Sequence, residues 1–517
     1  MATKRSGFMV IVSITPEIAI EGGRIYAGGL GVLEGDKLLG AGDMGLDYMV
    51  LSLFYRQGYT SINFKGIEPI LQPEEQSHEF ISKLSQEREF SVLLRGEEVI
   101  VRPWVFKYKT AKAVLFEAVC PLWARRLTDR VYYENSIEET FYKYALLAKA
   151  SAHYLKNYVG LDKVSVIDLE ESYASLILNV LDVSKISRII IHTPGPWGHP
   201  SFPGEFIARE FGVFLGDYIN LTEFSLSKLD KGIVVSKKQE AVAAAIFPKY
   251  KDKIVSITNG IHLGRWMHPR LYEAFTSSTI SIDLLKRVRQ ESKEKMFSMI
   301  KSFKHNVNVD GRIVIAWTRR LARYKRPYFV TRFIEEYPDI NAFFVIAGKP
   351  HPRDSDGIAY LKKFRELDLK LTNIAYIPDY NIETAKTILQ GTDLLLFTPF
   401  PGWEACGTSY MKAMVNGVPV LSSRDGGVLE VVEDGVNSWL FGSEPSDFIN
   451  IYTDQRAREI DEKDYYDFRN KLLWIIEIYQ KDPEKYWEVA FNSLKTAPGK
   501  VDIREALKKY YINTQST

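Results

Sequence analysis

Short apolar runs alternate with longer segments of helical periodicity along almost the whole of this 517-residue chain. That alternation constrains the fold more than any other feature. A brief run that is apolar throughout is a strand buried on both faces, and such strands belong to parallel sheets covered by helices. The first half offers strands at 8–14, 49–55, 114–119, 164–169, 188–192, 232–235 and 254–257. The second half restarts with 312–317, then 342–347, 374–377, 394–398, 418–421 and 438–441. Between the two series lies a polar helical stretch, 281–303, which places a hinge between about 267 and 309. The expected fold class is α/β, with two Rossmann-like, doubly wound domains facing an interdomain cleft. We assign 1–268 to the first domain, 269–480 to the second, and 481–517 to aromatic-rich helices that pack back across the hinge.

Size and composition narrow the class of protein. A chain of 517 residues exceeds one ordinary core. Its 67 Lys and Arg nearly balance 65 Asp and Glu, which gives no polycationic signature for nucleic acid. Two cysteines, Cys120 and Cys406, make no disulfide framework and fit a reducing compartment. The opening apolar run is too short for a secretory signal, and no run has the length of a membrane span. We therefore expect a soluble, cytoplasmic protein with no membrane or nucleic-acid partner.

Four loops that follow predicted strands carry the chemistry. Open α/β sheets bind ligands at the carboxyl ends of their strands, so these loops are expected to converge. The segment from Glu404 to Lys412 gathers an acid, the small pair Gly407–Thr408 and a lysine around a helix start, where free N–H groups favour anions. The segment Thr318–Pro327 holds five cations in Arg319, Arg320, Arg323, Lys325 and Arg326, which suit a phosphate clamp. The same run is also readable as a solvated face. Asn259–Gly260 ends the last strand of the first half; it is a turn, or an amide that donates to a sugar hydroxyl. Gly28, Gly29 and Gly31 form a Gly-rich loop after the first strand that lacks the dinucleotide fingerprint. His192 is a sugar contact or a satisfied core histidine. The histidines and cysteines show no metal-ligand spacing, so no metal is expected.

Taken together and in order, these motifs resemble the α-glucan phosphorylases (glycogen, starch or maltodextrin) in a short, catalytic-core form. The resemblance runs over roughly residues 8–420 and includes Pro16–Glu17, the loop 27–36, Phe54–Tyr59, His192–Pro194, Asn259–Gly260, Arg319–Pro327, Gly348–Asp354, Pro378–Tyr380 and Glu404–Gly417. It implies a GT-B arrangement and pyridoxal 5′-phosphate held as a Schiff base on Lys412. Gly407, Thr408, Arg319, Tyr380, Trp266 and Gly29 match the cofactor pocket. Arg320 and Lys325 match the clamp on the substrate phosphate, and Asn259 and Glu404 match residues that hold the glucosyl unit. The implied reaction is retaining phosphorolysis of α-1,4-glucan ends, with inorganic phosphate as co-substrate and glucose 1-phosphate as product. A homodimer is the family expectation.

Three positions depart from the family pattern. Tyr173 and Gln239 stand where histidines are usual, and Asn381 stands where large members have an arginine. Beyond residue 420, the runs Gly426–Glu430 and Glu433–Gly435 look more like nucleotide-sugar glycosyltransferases of the glycogen or trehalose synthase type. Those enzymes carry two glutamates eight positions apart, the second accepting from ribose hydroxyls. Here the position eight after Glu404 is Lys412, and a cation cannot accept. The phosphorylase reading is therefore preferred to a synthase, and to a glucan-binding protein that has lost activity.

Overall fold

The strand Val10–Ile14 is buried along its whole length and lies between two parallel neighbours, Tyr48–Leu53 and Val164–Glu170. This computed structural model describes residues 9–307, 309 and 311–512, so Phe8, the first residue of the expected run, lies outside it. The described residues divide into two compact units: 9–59, 73–258 and 506–512 in the first, and 60–72 with those from 259 to 505 in the second.

The first unit is built on a ten-stranded sheet. From one edge its strands run Ile254–Ser256, Gly232–Val234, Ser187–Ile191, Val164–Glu170, Val10–Ile14, Tyr48–Leu53 and Ala111–Cys120, all parallel. An antiparallel ribbon continues it through Glu97–Tyr108, on which Phe90–Leu94 and Ser85–Gln86 pair. The ribbon was not expected from the sequence. Its long strand alternates buried and half-exposed residues, the pattern of a sheet with one face toward solvent rather than of a doubly covered strand.

The second unit holds six parallel strands in the order Ile374–Ile377, Ala342–Ala347, Ile313–Thr318, Leu394–Phe397, Val420–Ser423 and Trp439–Phe441. This is the doubly wound order, and it reverses between Ile313–Thr318 and Leu394–Phe397. The polar stretch 281–303 forms the helix Ile282–Lys301, started by Ser281, whose side chain accepts from Leu284 N. Its buried stripe, with Leu285, Val288, Ser292, Met296 and Ile300, follows helical spacing. A hairpin of Ser61–Lys65 and Glu68–Gln72 also belongs to this unit: Phe64 meets Tyr376 edge-on at 6.0 Å, and Glu68 pairs with Lys362 at 2.7 Å.

The division between units falls at Thr258–Asn259, ahead of the expected boundary at 268. The segment after Asn259 is tied into the second unit by main-chain bonds, from Ile261 N to Val501 O at 2.7 Å and from Ile503 N to Ile261 O at 2.8 Å. The C-terminal segment forms three helices, Arg456–Lys481, Pro483–Val501 and Ile503–Tyr511. Its last residues cluster with the first unit, where Tyr511 Oη donates to Asp168 at 2.6 Å and Tyr510 O accepts from Arg188 at 3.0 Å. No helix among the described residues is long and apolar enough to cross a membrane.

Candidate active site

Two adjacent parallel strands whose connections leave in opposite directions open a crevice at their carboxyl ends. In the second unit those strands are Ile313–Thr318 and Leu394–Phe397. Arg319 follows the first directly, and Glu404 stands in the loop after the second. Arg319 is buried and lies 3.8 Å above the Phe397 ring. One of its nitrogens, Nη2, donates to Glu404 Oε2 at 2.5 Å. The other, Nη1, is buried with no hydrogen-bond partner among the described residues. A buried, unpaired guanidinium nitrogen is costly and points to a missing anionic or polar partner.

Lys325 reaches the same carboxylate, its Nζ lying 3.4 Å from Glu404 Oε2. Burial, together with the charges of Arg319 and Arg320, lowers the Lys325 ammonium to about 7 against the opposing pull of Glu404. For Glu404, burial pushes the carboxyl up, but Arg319 and Lys325 overcome this and hold it below its ordinary value. The result is a fixed carboxylate between two cations, one of them poised to exchange its proton near neutrality.

The loop from Glu404 then turns into the short helix Ser409–Met414. Gly407 is required by close approach: a Cβ there would sit 2.7 Å from Glu404 Oε1, 2.9 Å from Phe397 Cζ and 3.0 Å from Arg319 Nη2. Thr408 is buried, and its carbonyl accepts from Lys412 N at 3.2 Å. Lys412 is buried too, with Nζ 4.1 Å from the centre of the Trp266 ring. Asn259, also buried, directs its side-chain amide to Cys406 O at 3.4 Å. Tyr380 Oη donates to Thr318 O at 3.4 Å. Asn259, Trp266, Arg319, Arg320, Lys325, Tyr380, Glu404, Gly407, Thr408 and Lys412 thus all belong to the second unit, while Gly29 lies in the first. Gly29 opens the helix Gly29–Asp43, and a Cβ there would meet nothing.

Two supporting residues were not singled out in the sequence. Asn416 joins the lysine helix to the Trp266 segment: its amide donates to Trp266 O at 2.9 Å and Lys412 O at 2.8 Å, and its Oδ1 accepts from His268 N at 2.7 Å. Asp425 accepts from Gly402 N and Glu404 N at 2.7 and 2.8 Å. An Asn or Asp in a loop is too common to mark either one without the fold.

The departures from the family pattern have local explanations. Tyr173 stacks on Tyr144 with centroids 4.0 Å apart. Gln239 is buried, accepts from Val235 N at 2.9 Å and donates to Ile191 O at 3.1 Å, bracing two strand ends. Asn381 caps the helix Ile382–Gly391 by accepting from Glu383 N and Thr384 N. His192 is bonded to Glu170 at 2.6 Å, within a buried ion network that includes Lys37 and Glu34.

Residues 362–510 match the carbohydrate phosphorylase family. Among curated proteins, maltodextrin phosphorylase of Thermococcus litoralis is 26% identical over 81% of this chain and 60% of its own length. Glycogen phosphorylase of Aquifex aeolicus is 26% identical over 84% of this chain and 76% of its own. Glycogen phosphorylase of Mycobacterium tuberculosis is 24% identical over 94% of this chain and 68% of its own. The chain thus spans about three fifths of the first of these relatives and larger shares of the others. The matched segment takes in the strands and helices that follow Lys362 in the doubly wound sheet of the second unit, including the loop of Glu404 and the helix of Lys412. The chain is thus similar to maltodextrin and glycogen phosphorylases, and its residues 362–510 match the carbohydrate phosphorylase family model.

Proposed function

We propose that this chain is a pyridoxal 5′-phosphate-dependent α-glucan phosphorylase, which cleaves α-1,4-glucan or maltodextrin ends with inorganic phosphate and releases glucose 1-phosphate with retention. The observation that carries this reading is the meeting, at one switch point, of a buried lysine under an indole face and a carboxylate held by two cations.

The side chains fit the cofactor. Lys412 is the lysine on the short helix, the flat Trp266 face lies beside its amine, and the unpaired Nη1 of Arg319 suits a phosphate oxygen. Gly407 and Thr408 line the approach to the same helix, with Tyr380 beside the strand that delivers Arg319. When bound, the cofactor supplies a phosphate group able to exchange protons near pH 6 to 7, roughly the range of a phosphate monoester.

The chain's own residues do the rest. Lys325 and Arg320 would clamp inorganic phosphate, offsetting the repulsion between two phosphate groups brought close in a poorly solvated site. Before phosphate arrives, Glu404 engages Lys325 and one nitrogen of Arg319, Nη2. An incoming anion must share those cations, which frees Glu404 lone pairs for sugar hydroxyls. Asn259, whose amide donates to Cys406 O two residues after Glu404, would supply a donor to the same sugar. A nucleotide-sugar transferase is disfavoured because Lys412 occupies the position of the ribose-holding carboxylate. A cytoplasmic homodimer completes the reading.

The test is spectroscopic. Purified protein supplied with pyridoxal 5′-phosphate is expected to gain near-ultraviolet absorbance, and borohydride to leave a pyridoxyl group on the Lys412 peptide. A colourless protein that binds a nucleotide sugar instead would overturn the proposal.

A further inference from the structure

The carboxyl group of Asp425 lies beneath the loop that carries Glu404. Asp425 follows the strand Val420–Ser423 and is 1% exposed. Its Oδ1 accepts from Gly402 N at 2.7 Å and Gly426 N at 2.9 Å, and its Oδ2 accepts from Glu404 N at 2.8 Å. All three donors are main-chain groups, so the carboxylate acts on the path of the backbone. Gly426, with φ +58, brings the two segments into contact: a Cβ there would lie 2.2 Å from Glu404 O and 2.7 Å from Ala405 O. Asp425 and Gly426 therefore back onto the peptide groups on either side of the Glu404 side chain. Burial pushes the Asp425 carboxyl up to about 7, and the nearby negative charge of Glu404 adds to this against the three N–H groups. A second buried acid beside Glu404 is costly to desolvate, and the three main-chain N–H donors are what offset that cost.

We propose that Asp425 is a positioning residue that fixes the main chain at Glu404, so that the Glu404 carboxylate is delivered to Arg319 and Lys325. On the phosphorylase reading, with which this inference shares the role of Glu404, it also delivers that carboxylate to the glucosyl hydroxyls. The tolerance is narrow, because Glu404 Oε2 serves Arg319 at 2.5 Å and Lys325 at 3.4 Å. A displacement of about 1 Å would break the first contact and lose the second.

Asp425→Asn tests this. The amide keeps the shape but turns an N–H₂ group toward main-chain N–H donors, so the loop at Glu404 must move. Glu404 raises the proton affinity of Lys325, so a withdrawn Glu404 leaves more of the Lys325 amine neutral. Peptide-resolved amine labelling at slightly acid pH is expected to be severalfold faster at Lys325 in D425N and in E404Q, and no faster in the double variant than in E404Q alone. In turnover assays D425N should lose roughly tenfold to a hundredfold in kcat/KM for glucose 1-phosphate, with no further loss in the E404Q background. Unchanged labelling of Lys325 in folded D425N, or additive effects of the two substitutions, would overturn the inference. If wild-type protein shows no phosphorolysis, the proposed reaction falls while the labelling still decides the role of Asp425. Should D425N fail to fold, Asp425→Ser, which keeps one acceptor, is read by the same two criteria.

Discussion

Lys412 holds its ammonium group 4.1 Å from the centre of the Trp266 ring, and Asn416 bonds the main chain of both residues. The ring and the amine are thus set by one clamp, so the flat face stays beside the lysine whichever partner the amine takes. Trp266→Phe, which keeps a π face, is expected to retain most of the stability. Trp266→Leu should lose about 1 kcal/mol more than the Phe variant in urea unfolding, through the missing cation–π contact. Both should release added pyridoxal phosphate faster than wild type, with Leu the faster of the two.

The Lys325 ammonium, lowered to about 7, links phosphate binding to protons. In the unfolded chain lysine titrates near 10.4, roughly its reference value. Between these two values the unfolded state binds a proton that the folded state has lost, so the contribution of Lys325 makes stability rise as pH increases from about 7 toward 10. Phosphate favours the charged amine, so its binding should take up a proton at pH 7 to 8, roughly the window above the folded midpoint. Calorimetry in buffers of different ionisation enthalpy would detect that uptake. Lys325→Met should abolish it and flatten the pH dependence of stability.

Lys325→Ala should also eliminate phosphate-dependent release of sugar phosphate while leaving the circular dichroism spectrum unchanged. Unchanged turnover would show that Lys325 is not needed to hold phosphate.

Gly407→Ala places a methyl carbon 2.7 Å from Glu404 Oε1 and 3.0 Å from Arg319 Nη2. The ion pair must yield, since the Phe397 ring at 2.9 Å blocks the other side. Loss of at least about tenfold in kcat/KM is expected, with a stability cost of about 1–3 kcal/mol. Turnover at the wild-type level would show that the loop relaxes freely.

Arg326 stands next to Lys325 but plays a different part. It is fully buried, donates to Thr398 O and Pro399 O at 2.9 Å each, and pairs with Asp464 at 2.8 Å. Asp464→Ala would leave a buried guanidinium short of its counter-charge and should cost about 3–5 kcal/mol in chemical denaturation. A loss below 1 kcal/mol, roughly the worth of a surface ion pair, would show that Asp461 and the carbonyls suffice.

The strands of both parallel sheets were legible because their apolar runs have no other use than burial on two faces. Motifs after those strands were legible as site loops for the same reason: Arg319 and Glu404 follow the two strands at the reversal of order. The Glu97–Tyr108 ribbon escaped notice because Ile100, Trp104 and Phe106 stand at half-exposed positions and hide in sequence the alternation that its burial shows. Asn416 and Asp425 were invisible because their meaning lies in main-chain groups far away in sequence, such as Trp266 O and Gly402 N. Tyr173, Gln239 and Asn381 depart from the family pattern in sequence, and the structure shows the local packing, bracing or capping contact that each makes.

The division at Thr258–Asn259 has a consequence for how such a chain can change over time. Of the residues matched to the cofactor, the phosphate clamp and the glucosyl unit, all but Gly29 come from one uninterrupted stretch of gene, because Asn259 and Trp266 fold with the second unit rather than the first. Tyr173 and Gln239 are encoded ahead of that stretch, in the other unit, so the lysine, its indole neighbour and the cations are inherited as one block of sequence.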